Sequence, residues 1–83
     1  MYQVMLQREA KKDLRKLEKR FREKIFFILS SLKNNPFLGE KMAREFSGSY
    51  RIKIPPLRII YTPDLKRKII WIRTLGFRGR VYK

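Results

Sequence analysis

The 83-residue sequence contains no cysteine and no histidine. Without cysteine, neither a disulfide framework nor a thiolate metal site can form. Without histidine, the commonest general base and the commonest metal ligand are both missing. Catalysis would have to rest on Lys, Arg, Tyr, Asp or Glu, and no metal or cofactor is expected. Acidic residues are scarce: 7 Asp+Glu stand against 22 Lys+Arg, a net charge of +15. No apolar run approaches the roughly 18 residues of a membrane span, so no membrane partner is expected. Residues 1–8 are too short for a signal peptide, which points to a cytoplasmic protein.

A chain of this length is expected to form one domain, residues 1–83, with a thin core. Its 43% hydrophobic content is enough for a folded globule. The charge is the loudest feature. A chain this basic repels itself and is best accommodated by a polyanion or an acidic partner. Nucleic acid is the first candidate. The plainer alternative is a solvated basic surface.

Residues 2–6 read as a short strand. Over residues 9–34, Ala10, Leu14, Leu17, Phe21, Ile25, Ile28 and Leu32 recur at steps of three or four. Pro36 ends that region, because the residue before a proline disfavours helix. One unbroken helix of this length would run about 39 Å, longer than the roughly 30 Å diameter of so small a domain. A break near Lys19, Arg20 and Phe21 is therefore expected, giving a helical hairpin. Residues 37–49 read as a loop. From residue 50 the period switches to two, with strands at 50–54, 57–62 and 67–75 and a possible short one at 78–82. The expected fold is α+β: a two-layer sandwich of order β-α-α-β-β-β(-β), helices packed on a mostly antiparallel sheet.

Pairing strands 50–54 and 57–62 about Pro55 and Pro56 sets Ile54 opposite Leu57, Ile52 opposite Ile59 and Tyr50 opposite Tyr61. Opposite residues share a face, so these six should pack on the helices. A cis Pro56 would keep that register. The other face then carries Arg51, Lys53 and Arg58, with Lys53 directly across from Arg58. Like charges in that position are destabilising unless an anion sits between them. Solvation of an open sheet face is the plainer explanation. Trp71, in a central strand, is expected in the core. Lys68 and Arg73 read as surface charges.

The ordered pieces resemble a known family. Tyr2-x-Val4 opens the chain, and Lys12-Asp13-Leu14-x-x-Leu17 follows on a helix. Asn35, Pro36 and Phe37 close the helices. Then come Gly48-Ser49-Tyr50-Arg51-Ile52, Arg58-Ile59-Ile60-Tyr61 and a terminal Arg78-Gly79-Arg80-Val81-Tyr82. The set resembles the RelE/ParE superfamily of toxins from toxin–antitoxin pairs, across essentially the whole chain. For the RelE branch the resemblance implies cleavage of messenger RNA in the ribosomal decoding site. It marks Arg51 and Lys53 on the second strand, Arg58 on the third, and Arg78 and Tyr82 near the C-terminus as functional. Leu57 stands where the family has tyrosine, and Phe77 where many members have His or Lys.

RNA cleavage by a 2′-hydroxyl needs a base, a stabiliser of the charged phosphorane and a proton for the leaving 5′-oxygen. The expected roles are Lys53 as base, Arg58 as phosphate clamp and Arg78 as transition-state stabiliser. Tyr82 would stack on a base. Arg51 and Arg80 complete the RNA-binding set. A lysine serves as base only where like charge nearby favours its neutral form; Arg51 and Arg58 would supply it. Glu40 and Glu45 are fallback bases. The expected partners are ribosome-bound messenger RNA and an antitoxin with an acidic segment. The alternatives are a ParE-like inhibitor of DNA gyrase and a non-catalytic RNA-binding module.

Overall fold

The computed structural model describes residues 1–77. Strand β1 (Gln3–Leu6) leads into helices α1 (Arg8–Lys16) and α2 (Lys19–Asn34). A two-residue strand β2 (Glu40–Lys41) and a 3-10 turn (Arg44–Phe46) precede β3 (Tyr50–Ile54), β4 (Leu57–Asp64) and β5 (Ile69–Phe77). The sheet order is β1-β5-β4-β3-β2. The pairs β2–β3, β3–β4 and β4–β5 are antiparallel, while β1 runs parallel to β5. No helix among the described residues is long and apolar enough to cross a membrane. The expected strand at 78–82 lies outside the described residues.

The helical hairpin breaks at Leu17 and Glu18, just before the expected place near Lys19, Arg20 and Phe21. Leu17 leaves α1 in extended conformation and Glu18 enters α2 the same way. No proline or glycine is needed, because neighbouring polar groups satisfy the exposed backbone. The Arg22 guanidinium donates to the Leu17 carbonyl at 2.8 Å, and the Glu18 carbonyl accepts from the N–H groups of Phe21 and Arg22. Such substitutes are what a helix end requires. Leu17 itself is buried, so the break turns the chain without losing the apolar stripe.

One core fills the space between helices and sheet. Ala10, Leu17, Ile25, Leu29 and Leu32 meet Ile52, Leu57, Ile59, Tyr61, Ile70, Ile72 and Leu75, with Tyr50 and Ile54 partly buried against them. The β3–β4 register is Tyr50↔Tyr61, Ile52↔Ile59, Lys53↔Arg58 and Ile54↔Leu57, and the Pro55–Pro56 bond is cis. This is the pairing expected from the sequence. Trp71 departs from expectation. It is half-buried and outside the core cluster, because it pairs with Thr62 on the face away from the helices. A register shift opposite Ile60 and Tyr61 lets β5 return Ile72 to the core side.

The segment read as a loop contains β2, held by two close approaches. The Gly39 N–H donates to the buried Tyr61 hydroxyl at 2.9 Å. A Cβ on Gly39 would stand 2.5 Å from the Arg51 carbonyl oxygen. Gly39→Ala must therefore push β2 off β3, with an expected cost of about 1–3 kcal/mol. In a domain this small that lowers the melting temperature by at least about 4 °C, and thermal unfolding followed by circular dichroism checks it.

Burial raises the Tyr61 hydroxyl above its ordinary pKa; the Gly39 N–H works against this and the stacked Tyr50 adds to it. A group whose folded-state pKa is raised contributes stability that is fully present below its unfolded value, near pH 10. That contribution is lost as pH climbs through the folded value. The stability gap between the wild-type chain and Tyr61→Phe should therefore narrow from pH 8 to about pH 11. Urea unfolding of both proteins measures it, and a widening gap would contradict the assignment.

Candidate nucleic-acid interface

The sheet face turned away from the core is built by strand alternation. Ser49, Arg51 and Lys53 point to it from the β3 side; Arg58, Ile60 and Thr62 point to it from β4. Across the two strands these form successive pairs. At one end the Ser49 and Thr62 hydroxyls share a hydrogen bond of 2.8 Å. In the middle Arg51 lies opposite Ile60, and at the hairpin end Lys53 lies opposite Arg58. Ile60 is only 3% exposed although it faces away from the helices, so the face has an apolar floor between its charges.

Lys53 is exposed, and Arg51 and Arg58 are half-buried. The hairpin brings these three together as expected. Arg51 also meets Glu40, its register partner on β2, with Nη2 3.5 Å from Oε2. Sequence reasoning offered Glu40 only as a fallback base. It missed the ion pair because a two-residue strand carries no readable period. Glu45 sits in the 3-10 turn, and its side chain lies outside the described part of the structure.

On the far side of Arg58 lies Gly76 of β5. Gly76 is buried and has φ +144, a conformation that favours glycine, and no described residue stands within 4 Å of the place of its missing Cβ. Beyond Gly76, the end of β5 and helix α1 enclose a cavity lined by Glu9, Asp13, Lys16, Thr74 and Phe77. Thr74 donates to Asp13 there at 3.1 Å. The expected site residues Arg78, Arg80 and Tyr82 lie outside the described residues.

The arrangement suits a phosphodiester. Two guanidiniums and an ammonium converge on one face, and guanidinium forks match phosphate oxygens. Glu40 is ion-paired with one of these three cations, Arg51.

Comparison with known proteins agrees with this geometry. The family model described as ParE toxin of type II toxin–antitoxin system, parDE, matches residues 4–82. No curated protein matches the sequence significantly. Among solved structures, the toxin–antitoxin complex RelBE2 from Mycobacterium tuberculosis superposes with a TM-score of 0.86 at 24% identity, covering 93% of this chain and 98% of that one. The isolated RelE toxin of E. coli gives 0.82 at 23% identity, covering 99% and 92%. The RelE–RelB complex of Pyrococcus horikoshii gives 0.76 at 24% identity, covering 96% and 98%. At these identities the superpositions establish a shared fold, a helical hairpin on a five-stranded mixed sheet, and the family match supplies the rest: this chain is a toxin of the RelE/ParE superfamily, from the ParE family of type II toxin–antitoxin systems.

Proposed function

We propose that this toxin is a RelE-like endoribonuclease that cuts messenger RNA on the ribosome. The observation that carries the reading is the Lys53↔Arg58 pair, two cations set directly opposite each other on the open sheet face. Like charges in that position repel each other, and a phosphate bound between them would meet both. In the proposed reaction the 2′-oxygen attacks the adjacent phosphorus and Lys53 takes its proton. Arg58 clamps the phosphate as negative charge builds on it. The bond from phosphorus to the 5′-oxygen breaks, leaving a cyclic 2′,3′-phosphate, and water polarised by Arg78 protonates the departing oxygen. Arg51, steadied by Glu40, and Arg80 position neighbouring phosphates. Tyr82 stacks on a base.

The proposed cellular partner is an antitoxin with an acidic segment that covers Arg51, Lys53 and Arg58. Related toxins of this fold from M. tuberculosis and P. horikoshii have been solved in complex with their antitoxins. A basic face of this kind favours such a segment by charge complementarity.

A cell-free translation reaction containing the purified toxin tests the reading, with messenger RNA ends mapped by primer extension. Cuts at ribosome-occupied codons are expected, and Arg58→Ala should reduce them by about 10²–10³-fold. The ParE description of the matching family favours a second reading, inhibition of DNA gyrase. Intact messenger RNA together with blocked supercoiling in a gyrase assay would establish that reading instead.

A further inference from the structure

Helix α1 carries four cations on its outward side. Arg8, Lys11, Lys12 and Arg15 are all exposed. At 3.6 residues per turn they fall within an arc of about 100°. No acidic or apolar residue of the helix shares that arc. Buried Ala10 and half-buried Leu14 take the opposite side. Glu9 and Asp13 lie on the flank facing the end of β5, where Asp13 is engaged by Thr74. Among the described residues none of the four cations is in an ion pair. The spacings from Arg8 to Lys12 and from Lys11 to Arg15 place like charges one turn apart, where each pair destabilises the helix.

We infer that this face of α1 docks the backbone of double-stranded RNA, at a site separate from the strand face that carries Lys53 and Arg58. The stripe extends about 10 Å from Arg8 to Arg15. A duplex carries one charge per roughly 1.7 Å of axis, so about six phosphate charges pass along it. The major groove of an A-form duplex is too deep and narrow for side chains to read, so the stripe meets phosphates and grips without reading sequence. An acidic peptide is held more firmly where apolar or aromatic side chains adjoin the charges, and the arc has none. An amphipathic helix lying in a membrane surface needs its apolar side turned outward, and that side of α1 is packed in the core. The choice of RNA over DNA rests on the proposed reading of the strand face. A toxin with both surfaces holds a single strand at one and folded RNA at the other, as an RNA-rich particle would present them.

The test is fluorescence anisotropy with a short labelled RNA duplex between about 50 and 200 mM salt, the range over which phosphate contacts are resolved. The triple variant Lys11→Ala, Lys12→Ala, Arg15→Ala keeps good helix formers at every position, and circular dichroism confirms the fold. At about 0.9 per phosphate, its slope of log affinity against log salt should be shallower by roughly 2.7. Across that range the wild-type chain should lose about 40-fold more affinity than the variant. A control with the same charge change, Lys24→Ala, Lys33→Ala, Lys66→Ala, should keep the steep slope. Binding of a single-stranded oligonucleotide should be equal in the α1 variant and the control. The inference is overturned by an unchanged slope in the α1 variant, by an equal change in the control, or by tighter binding to a DNA duplex of the same sequence. Loss of binding to a poly-glutamate peptide or to anionic vesicles, with the duplex slope intact, also overturns it. Absence of messenger RNA cleavage by the wild-type chain bears on the strand face alone, because the duplex slope is read without any cleavage.

Discussion

Lys53→Ala should slow RNA cleavage by about 10²–10⁴-fold, the range over which a positioned general base contributes, and should leave the fold as stable as before or slightly more so. Both halves come from one register. Lys53 is exposed and sits directly across from Arg58. Removing it takes away a proton acceptor and also a like-charge neighbour, which on a sheet is unfavourable by roughly 0.2–1 kcal/mol. Lys53→Arg separates charge from proton transfer. Arginine keeps the positive charge but does not give up its proton in proteins, so it should restore RNA affinity without restoring the rate. Single-turnover cleavage of ribosome-bound messenger RNA, read beside urea unfolding of the same proteins, makes the comparison. Full activity in Lys53→Ala would remove this residue from the chemistry. Full activity in Lys53→Arg would reduce it to a phosphate contact.

That register was legible in the sequence because the strands around Pro55 and Pro56 alternate cleanly. A slip of one residue would move Ile52, Ile54, Leu57 and Ile59 to the open face, so only one pairing buries them. The helical hairpin was legible from length and period, but its break was not. Leu17 and Glu18 have no turn chemistry of their own, and what stabilises the break is a guanidinium four residues into the next helix, at Arg22. The parallel pairing of β1 with β5 was also hidden, since it joins residues 3–6 to residues 69–72 with no local signal. The site shows the same division. Arg51, Lys53 and Arg58 follow from alternation alone. Glu40 joins Arg51 only through β2, whose place is set by Gly39 against the Arg51 carbonyl and by the Tyr61 hydroxyl. Trp71 was misplaced because burial in a central strand does not say which face is buried, and the register shift opposite Ile60 and Tyr61 is invisible in composition.

Ile59→Ala should give the largest loss of stability, and it tests whether the two faces of β4 are energetically separate. Ile59 is fully buried between Ile52 on β3 and Leu75 on β5. Truncating a buried isoleucine to alanine costs about 2–5 kcal/mol, through lost transfer energy and an unfilled cavity. A domain of 83 residues has a total of only about 4–12 kcal/mol at the usual 0.05–0.15 per residue. The variant should therefore melt at least about 8 °C lower and be partly unfolded at 37 °C. Its neighbour Arg58 points the other way along the same strand. At a low temperature where Ile59→Ala is still folded, cleavage per folded molecule should stay within a few-fold of wild type. Measuring the folded fraction by circular dichroism and the rate in the same samples compares the two directly. A folded but inactive Ile59→Ala would mean that core packing sets the position of Arg58, and that the open face is not an independent surface carried by the sheet. Activity that tracks the folded fraction would mean that alternation along β4 divides the strand into one face that holds the protein together and one that meets RNA.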